Sequence, residues 1–244
     1  ENNCAVVTCS ATHMPSGLLL PLDGHTLQTE RFRAQLDASL PLRKQLWQQT
    51  VQAKILNQAY ALHTVLGEPA KNMLVWSRQV KSGDADNLEA RAAAFYWRNL
   101  FISLPGFVRE REEAAPNSLL NYGYAILRAI IARALVGCGL LPTLGIHHHN
   151  KYNAYCLADD IMEPYRPYVD LLVVEICEEE GFPTELTKEI KARLLALPTL
   201  DVEIEGQRRP LMLTATQTAT SLLRCFSGEA RRLAYPLLSC EPSD

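Results

Sequence analysis

Along most of this chain apolar residues recur every three or four positions, the period of a helix with one buried face. The clearest stripe is Trp47, Val51, Ile55, Ala59, Leu62 and Leu66, in a helical region that begins near residue 25 and stops at Gly67 and Pro69. The alanine-rich run from Glu89 to Trp97 has high helix propensity, with Asp86 as its expected N-cap. Leu120, Tyr124, Leu127, Ile131 and Leu135 predict another helix after Asn117, closing around Gly137 and Gly139. Residues 159–180 read as a helix bent at Pro164 and Pro167 and closed by Gly181. Thr184 is expected to cap a shorter helix that ends near Pro198, and a final helix is expected from Thr214 to Tyr235.

The period shifts toward strand at two places. Cys4–Cys9 and Gly17–Leu20 are short strand-like runs around a Pro-Ser-Gly turn, and Asp201–Glu205 and Arg208–Leu213 flank Gly206-Gln207 as a hairpin. The fold class predicted is therefore mainly α. A helical catalytic domain over residues 25–244, with one short β-hairpin near residues 201–213, follows residues 1–24 as the end of a small N-terminal β-domain and its linker. Two strands alone do not make a domain. Because the chain opens directly in strand-like residues, without an initiator methionine, an upstream β-rich region is expected to be missing.

With 244 residues and 48% hydrophobic composition, one large core is within reach. Arg128 and Arg133 interrupt the longest apolar stretch and Pro142 ends it, short of the roughly 18 consecutive apolar residues of a membrane span. No membrane association is expected. The first residues lack the basic start and apolar stretch of a secretory signal, so a cytoplasmic location is expected. Seven cysteines without a C-x-x-C pair argue against a disulfide framework and a zinc ribbon, and predict reduced, mostly buried thiols. The net charge of −3 argues against a protein that coats nucleic acid by bulk attraction. Arginine nevertheless outnumbers lysine, and its planar fork suits phosphate, so a local basic groove stays open.

Taken singly, the candidate chemical groups have structural explanations. Glu89 stands three residues after Asp86, the spacing of a capping box, which accounts for a carboxylate there as well as a ligand role does. Asp159, Asp160 and Glu163 sit in the first turn of a predicted helix, where the helix dipole favours negative charge. Yet Asp160 and Glu163, three residues apart, fall on one helical face and can address the same cation. His147, His148 and His149 form either a surface turn or, between Gly145 and Asn150, a tight connection that brings one imidazole to the carboxylate helix. One imidazole with two or three carboxylates and no matching cysteine suits Mg²⁺ or Mn²⁺ and phosphate chemistry.

Four blocks carry a specific resemblance: Ser82-Gly-Asp-Ala-Asp-Asn-Leu-Glu89 followed by Ala92, Ala93 and Tyr96; Asn117-Ser-Leu-Leu-Asn-Tyr-Gly-Tyr124-Ala-Ile-Leu127; Leu144-Gly-Ile-His-His148; and Leu157-Ala-Asp-Asp-Ile-Met-Glu-Pro-Tyr-Arg-Pro167. In this order they resemble the CRISPR-associated spacer-acquisition endonucleases, and the histidine and aspartate blocks look most like members from type II CRISPR systems. The resemblance implies catalytic, metal-binding roles for Glu89, His148 and Glu163, with Asp160 as a neighbouring accessory acid and Mg²⁺ or Mn²⁺ as cofactor. It also implies insertion of short DNA fragments into a CRISPR repeat by phosphodiester cleavage and transesterification, a homodimer, and a small ferredoxin-like adaptation partner. Beside it, the residues offer a candidate DNA surface in which Arg78, Lys81, Arg91 and Arg98 surround the Glu89 helix and Arg166 lies one turn beyond Glu163. Arg224, Arg231 and Arg232 are weaker candidates, and Tyr122, Tyr124 and Trp97 are assigned to the core. The alternatives are a non-catalytic DNA-binding scaffold of the adaptation complex and a helical phosphoesterase for small substrates.

Overall fold

The computed structural model describes residues 6–19, 26–110 and 115–238. The expected boundary between residues 24 and 25, and Cys4, Leu20 and Cys240, lie outside the described residues. The first strand-like runs form an antiparallel hairpin, β1 (Val6–Cys9) with β2 (Pro15–Leu19). It is tied to the helical part by the Tyr155 hydroxyl, which donates to the Pro15 carbonyl at 2.6 Å.

The helical region beginning near residue 25 is two helices, α1 (Thr26–Leu36) and α2 (Leu40–Leu66). Ser39 caps α2 by accepting the Leu42 N–H, and Gly67 ends it in the left-handed conformation. The expected apolar stripe is its buried face from Trp47 to Leu62, with Trp47, Val51, Ile55 and Leu62 each 1% exposed or less, whereas Leu66 in the last turn is exposed. This helix is the axis of the molecule. Against it pack α3 (Lys71–Gln79), which the sequence pattern did not disclose, and α4 (Leu88–Leu100).

The cap of α4 corrects the sequence reading. A 3-10 turn over Ser82–Asp84 carries Asp84 to the helix start, where its carboxylate accepts the N–H groups of Leu88 (2.9 Å) and Glu89 (3.0 Å). Asp86 instead pairs with Lys81 at the surface, 2.8 Å away. With the helix end satisfied by Asp84, no capping box holds Glu89 and its carboxylate turns to α2.

Helix α5 (Asn117–Gly137) has the predicted extent. Its length and apolarity alone would let it cross a bilayer, but 67% of its most apolar stretch is buried among neighbouring helices. The expected bent helix of residues 159–180 is three pieces: α6 (Cys156–Ile161), a 3-10 turn over Glu163–Tyr165, and α7 (Arg166–Glu180). Pro164 and Pro167, each lacking an N–H, account for the break. Next, α8 (Lys188–Leu195) is capped by Thr187 rather than Thr184, the Thr187 hydroxyl accepting the Ile190 N–H.

β3 (Asp201–Ile204) and β4 (Gln207–Pro210) make the expected hairpin, and α9 (Leu211–Phe226) follows at once. Here the expectation of a helix to Tyr235 fails. After Ser227 the chain runs back along α2, where polar side chains serve its extended backbone: Gln49 bonds Arg231 O and Leu233 N, and Asn57 bonds Pro236 O and Leu238 N. The described cysteines are free thiols; Cys156, Cys177 and Cys225 are buried, as expected, whereas Cys9 is exposed.

Candidate active site

Glu89 in the first turn of α4 and Glu163 in the 3-10 turn before α7 come together on α2. The residue that joins them is Lys54, whose Nζ lies 2.6 Å from Glu89 Oε1 and 2.6 Å from Glu163 Oε2. One turn along α2, Asn57 donates to the Pro164 carbonyl at 2.8 Å and so fixes the turn that carries Glu163. The other Glu163 oxygen, Oε1, faces Arg166 NH2 at 3.0 Å. Burial alone would raise the Glu163 carboxyl, but Arg166 and Lys54 outweigh it and hold the group below the ordinary glutamate range. In turn, Glu163 and Glu89 overcome the burial penalty on Lys54 and push its ammonium above the ordinary lysine value. Glu163 and Lys54 are therefore both charged at neutral pH.

The histidine loop closes one side of this centre. Asp160, fully buried, accepts the backbone N–H groups of His147 (2.9 Å) and His148 (3.2 Å), and its Oδ1 lies 2.5 Å from His148 Nδ1. Both Asp160 oxygens are thus spent on the loop. Asp160 thereby orients the imidazole, leaving Nε2 as the nitrogen free to act. The hydrogen bond to Asp160 raises the His148 pKa above the ordinary histidine value, with Glu163 and Glu89 contributing in the same direction. His147 stacks flat on Trp47, ring centroids 4.1 Å apart, while His148 meets the same ring edge-on at 5.8 Å. Gly145 makes the loop possible: a Cβ there would fall 2.3 Å from the His148 carbonyl oxygen and 2.8 Å from Asp160 Oδ2.

His148, Glu163 and Arg166 line one open groove of about 680 Å³ together with Arg128, Asn153 and Tyr124. Arg128, which the sequence reading did not count among the basic candidates, grips Asp159, with NH2 2.8 Å from Oδ2 and Nε 2.7 Å from Oδ1. Arg166 lies on the Tyr124 ring, 4.6 Å from its centroid, and its bond to Glu163 makes it part of the centre more than of an outer DNA surface. The other basic candidates are dispersed. Arg91 stacks on Trp76 at 4.4 Å, Lys81 pairs with Asp86, Arg98 is exposed, and Arg224 lies 3.7 Å from Glu229. Arg78, Arg231 and Arg232 share a separate groove beside the outer face of α2. Tyr122 packs against the core, Tyr124 is buried, and Trp97 packs edge-on against Phe107, so the three aromatics are core residues as expected.

Among the described residues, no three His, Cys, Asp or Glu side chains are gathered closely enough to hold a metal ion as they stand, and the Lys54 ammonium takes the point between the two glutamates. The donor set nonetheless suits a hard cation. Two carboxylates from different elements converge on one positive charge, 2.6 Å from each.

With this geometry in view, comparison with known proteins is decisive for kinship. The family model described as CRISPR associated protein Cas1 matches residues 1–195. The chain belongs to the Cas1 family. A Cas1 relative, the CRISPR-associated endonuclease Cas1 of Neisseria meningitidis, is 40% identical over 208 residues, which is 85% of this chain and 67% of that protein. Two solved structures share the Cas1 fold seen here. A casposase bound to integration product superposes with a TM-score of 0.74 at 21% identity, covering 99% of this chain and 77% of that one. The partial Cas6-RT-Cas1–Cas2 complex gives 0.74 at 20% identity, covering 97% and 82%.

Proposed function

We propose that this Cas1-family chain is a metal-dependent DNA endonuclease and integrase that inserts short DNA fragments as new spacers into a CRISPR array. The observation that carries the reading is the convergence of Glu89 and Glu163 on a single cationic point beside the oriented imidazole of His148. Glu89, His148 and Glu163 would hold Mg²⁺ or Mn²⁺, which polarises a phosphoryl oxygen and lowers the charge on the leaving oxygen. The chain itself does the rest. Asp160 keeps the His148 ring in one orientation, Arg166 holds Glu163 ionised and in place, and the groove beside them admits a DNA backbone. Arg128 is the basic group that lines this groove without bonding either glutamate, and is our candidate phosphate contact there; Arg78, Arg231 and Arg232 are candidates on the second groove.

The Neisseria relative is named an endonuclease, and the two structural neighbours are described with an integration product and with Cas2, which supports a role in integration beside a small adaptation partner. A homodimer, a ferredoxin-like partner, a cytoplasmic location and the type II branch complete the proposal. The test is Mn²⁺-dependent joining of a 3'-hydroxyl DNA fragment to a plasmid carrying a CRISPR repeat. Wild type should join, and Glu89→Gln, Glu163→Gln and His148→Ala should each lose about 100-fold or more while keeping the helical circular dichroism spectrum. Joining preserved in all three refutes the site; DNA binding without joining by wild type favours the scaffold reading.

A further inference from the structure

Lys54 breaks the logic of its own helix. It falls on the buried side of α2, 8% exposed, among residues such as Val51 and Ile55 that are fully buried. A lysine in that position has to be paired, and its Nζ is shared between Glu89 and Glu163 at 2.6 Å each. The two contacts are equally short, and Arg166 lies on the far oxygen of Glu163. One ammonium thus stands at the point where two carboxylates converge, a point that a divalent ion with twice the charge would neutralise more fully.

The geometry points to Lys54 as the resident counter-ion of the Glu89–Glu163 pair, which a divalent cation must displace in order to bind. This rests on the metal-dependent reading of the site. Lys54 and the ion cannot hold the same point, so Lys54 is a positioning residue with two opposed effects. It keeps two glutamates together in the metal-free protein, and it weakens apparent metal affinity in proportion to the fraction of molecules in which its ammonium is seated.

The experiment uses Mn²⁺ alone, without DNA or turnover. Free Mn²⁺ is measured by electron paramagnetic resonance during titration of wild type, Lys54→Met and Glu163→Gln, and thermal unfolding is recorded in EDTA. Lys54→Met should unfold at lower temperature in EDTA yet bind Mn²⁺ roughly tenfold or more tightly, because the competing charge is gone. In parallel, reductive methylation of wild type reads the accessibility of the Lys54 amine, which should be protected in EDTA and modified at least severalfold faster with Mn²⁺ bound. This second measurement decides the matter even if Lys54→Met does not fold. If wild type binds Mn²⁺ and Glu163→Gln does not, while Lys54→Met gains no affinity and Lys54 stays protected, the displacement is overturned and the metal reading stands. Absence of Mn²⁺ binding in both wild type and Lys54→Met overturns the two together.

Discussion

Asp170 offers a quantitative test of how the core beneath the site is built. It lies on α7 at 1% exposure and accepts hydrogen bonds from the hydroxyls of Tyr96 (2.9 Å) and Tyr124 (2.5 Å). Burial pushes its carboxyl up to about 7, although the two tyrosines, Arg166 and Arg109 all act to lower it. The unfolded chain releases the same proton near pH 3.9. Between these values the folded protein holds a proton that the unfolded protein has lost, so this group makes stability fall as pH rises through the window and level off above pH 7. A displacement from 3.8 to about 7 corresponds, at ~1.4 kcal/mol per decade, to about 4 kcal/mol. Asp170→Asn keeps an acceptor oxygen and removes the ionisation. It should be less stable than wild type at pH 4.5, by about 1 kcal/mol for one impaired hydrogen bond, and more stable at pH 8 by about 2 to 3 kcal/mol. Urea unfolding of both proteins at pH 4.5, 6 and 8 measures this crossing. A stability difference that stays constant across the three pH values refutes the argument, since a variant that only loses packing has no reason to respond to pH.

Two further predictions bear on the histidine loop. Gly145→Ala forces a Cβ to within 2.3 Å of the His148 carbonyl, and the loop backbone must shift; we expect joining activity to fall about tenfold or more, with a stability loss of about 1 to 3 kcal/mol, checked by the plasmid assay and thermal unfolding. Asp160→Asn removes the carboxylate that raises His148, so the His148 titration midpoint followed by NMR should drop toward the ordinary histidine value near 6.5. A raised histidine pKa stabilises the fold below the unfolded value and the benefit is lost as pH climbs through the folded one. Wild type should therefore lose stability relative to Asp160→Asn as pH rises above about 6.5, by an amount kept small because the imidazole is half exposed.

Most of the helical framework was legible because it follows from one-dimensional signals. The stripe from Trp47 to Leu62 and the interval from Asn117 to Gly137 appear as read, since apolar period and terminal glycine act locally; Leu66, in the last turn, is exposed. The two misplaced caps share a different cause: competition for a role among nearby polar residues. Asp84 and Asp86 are both able to cap α4, and only the 3-10 turn with Asn87 at φ 52° decides for Asp84. Thr184 and Thr187 divide in the same way. The run past Ser227 looks helical by composition, but Gln49 and Asn57, about 180 positions away in sequence, provide hydrogen bonds for an extended backbone there. Such long-range partners leave no local trace.

The site divides along the same line. Glu89 and Glu163 could be nominated from the sequence, but the charge that joins them could not be assigned from motif spacing. A signal did exist. Trp47, Val51 and Lys54 follow one another at four and three residues, so the period that identifies the buried face also places a lysine on it. A long cation on an apolar stripe must either snorkel out or meet a buried acid, and at mid-helix, 8% exposed, Lys54 meets two. Periodicity therefore carries more than fold. Where a charged residue occurs in phase with the core, it marks the point at which an acid from elsewhere in the chain must arrive, and in this protein that point is the candidate active site.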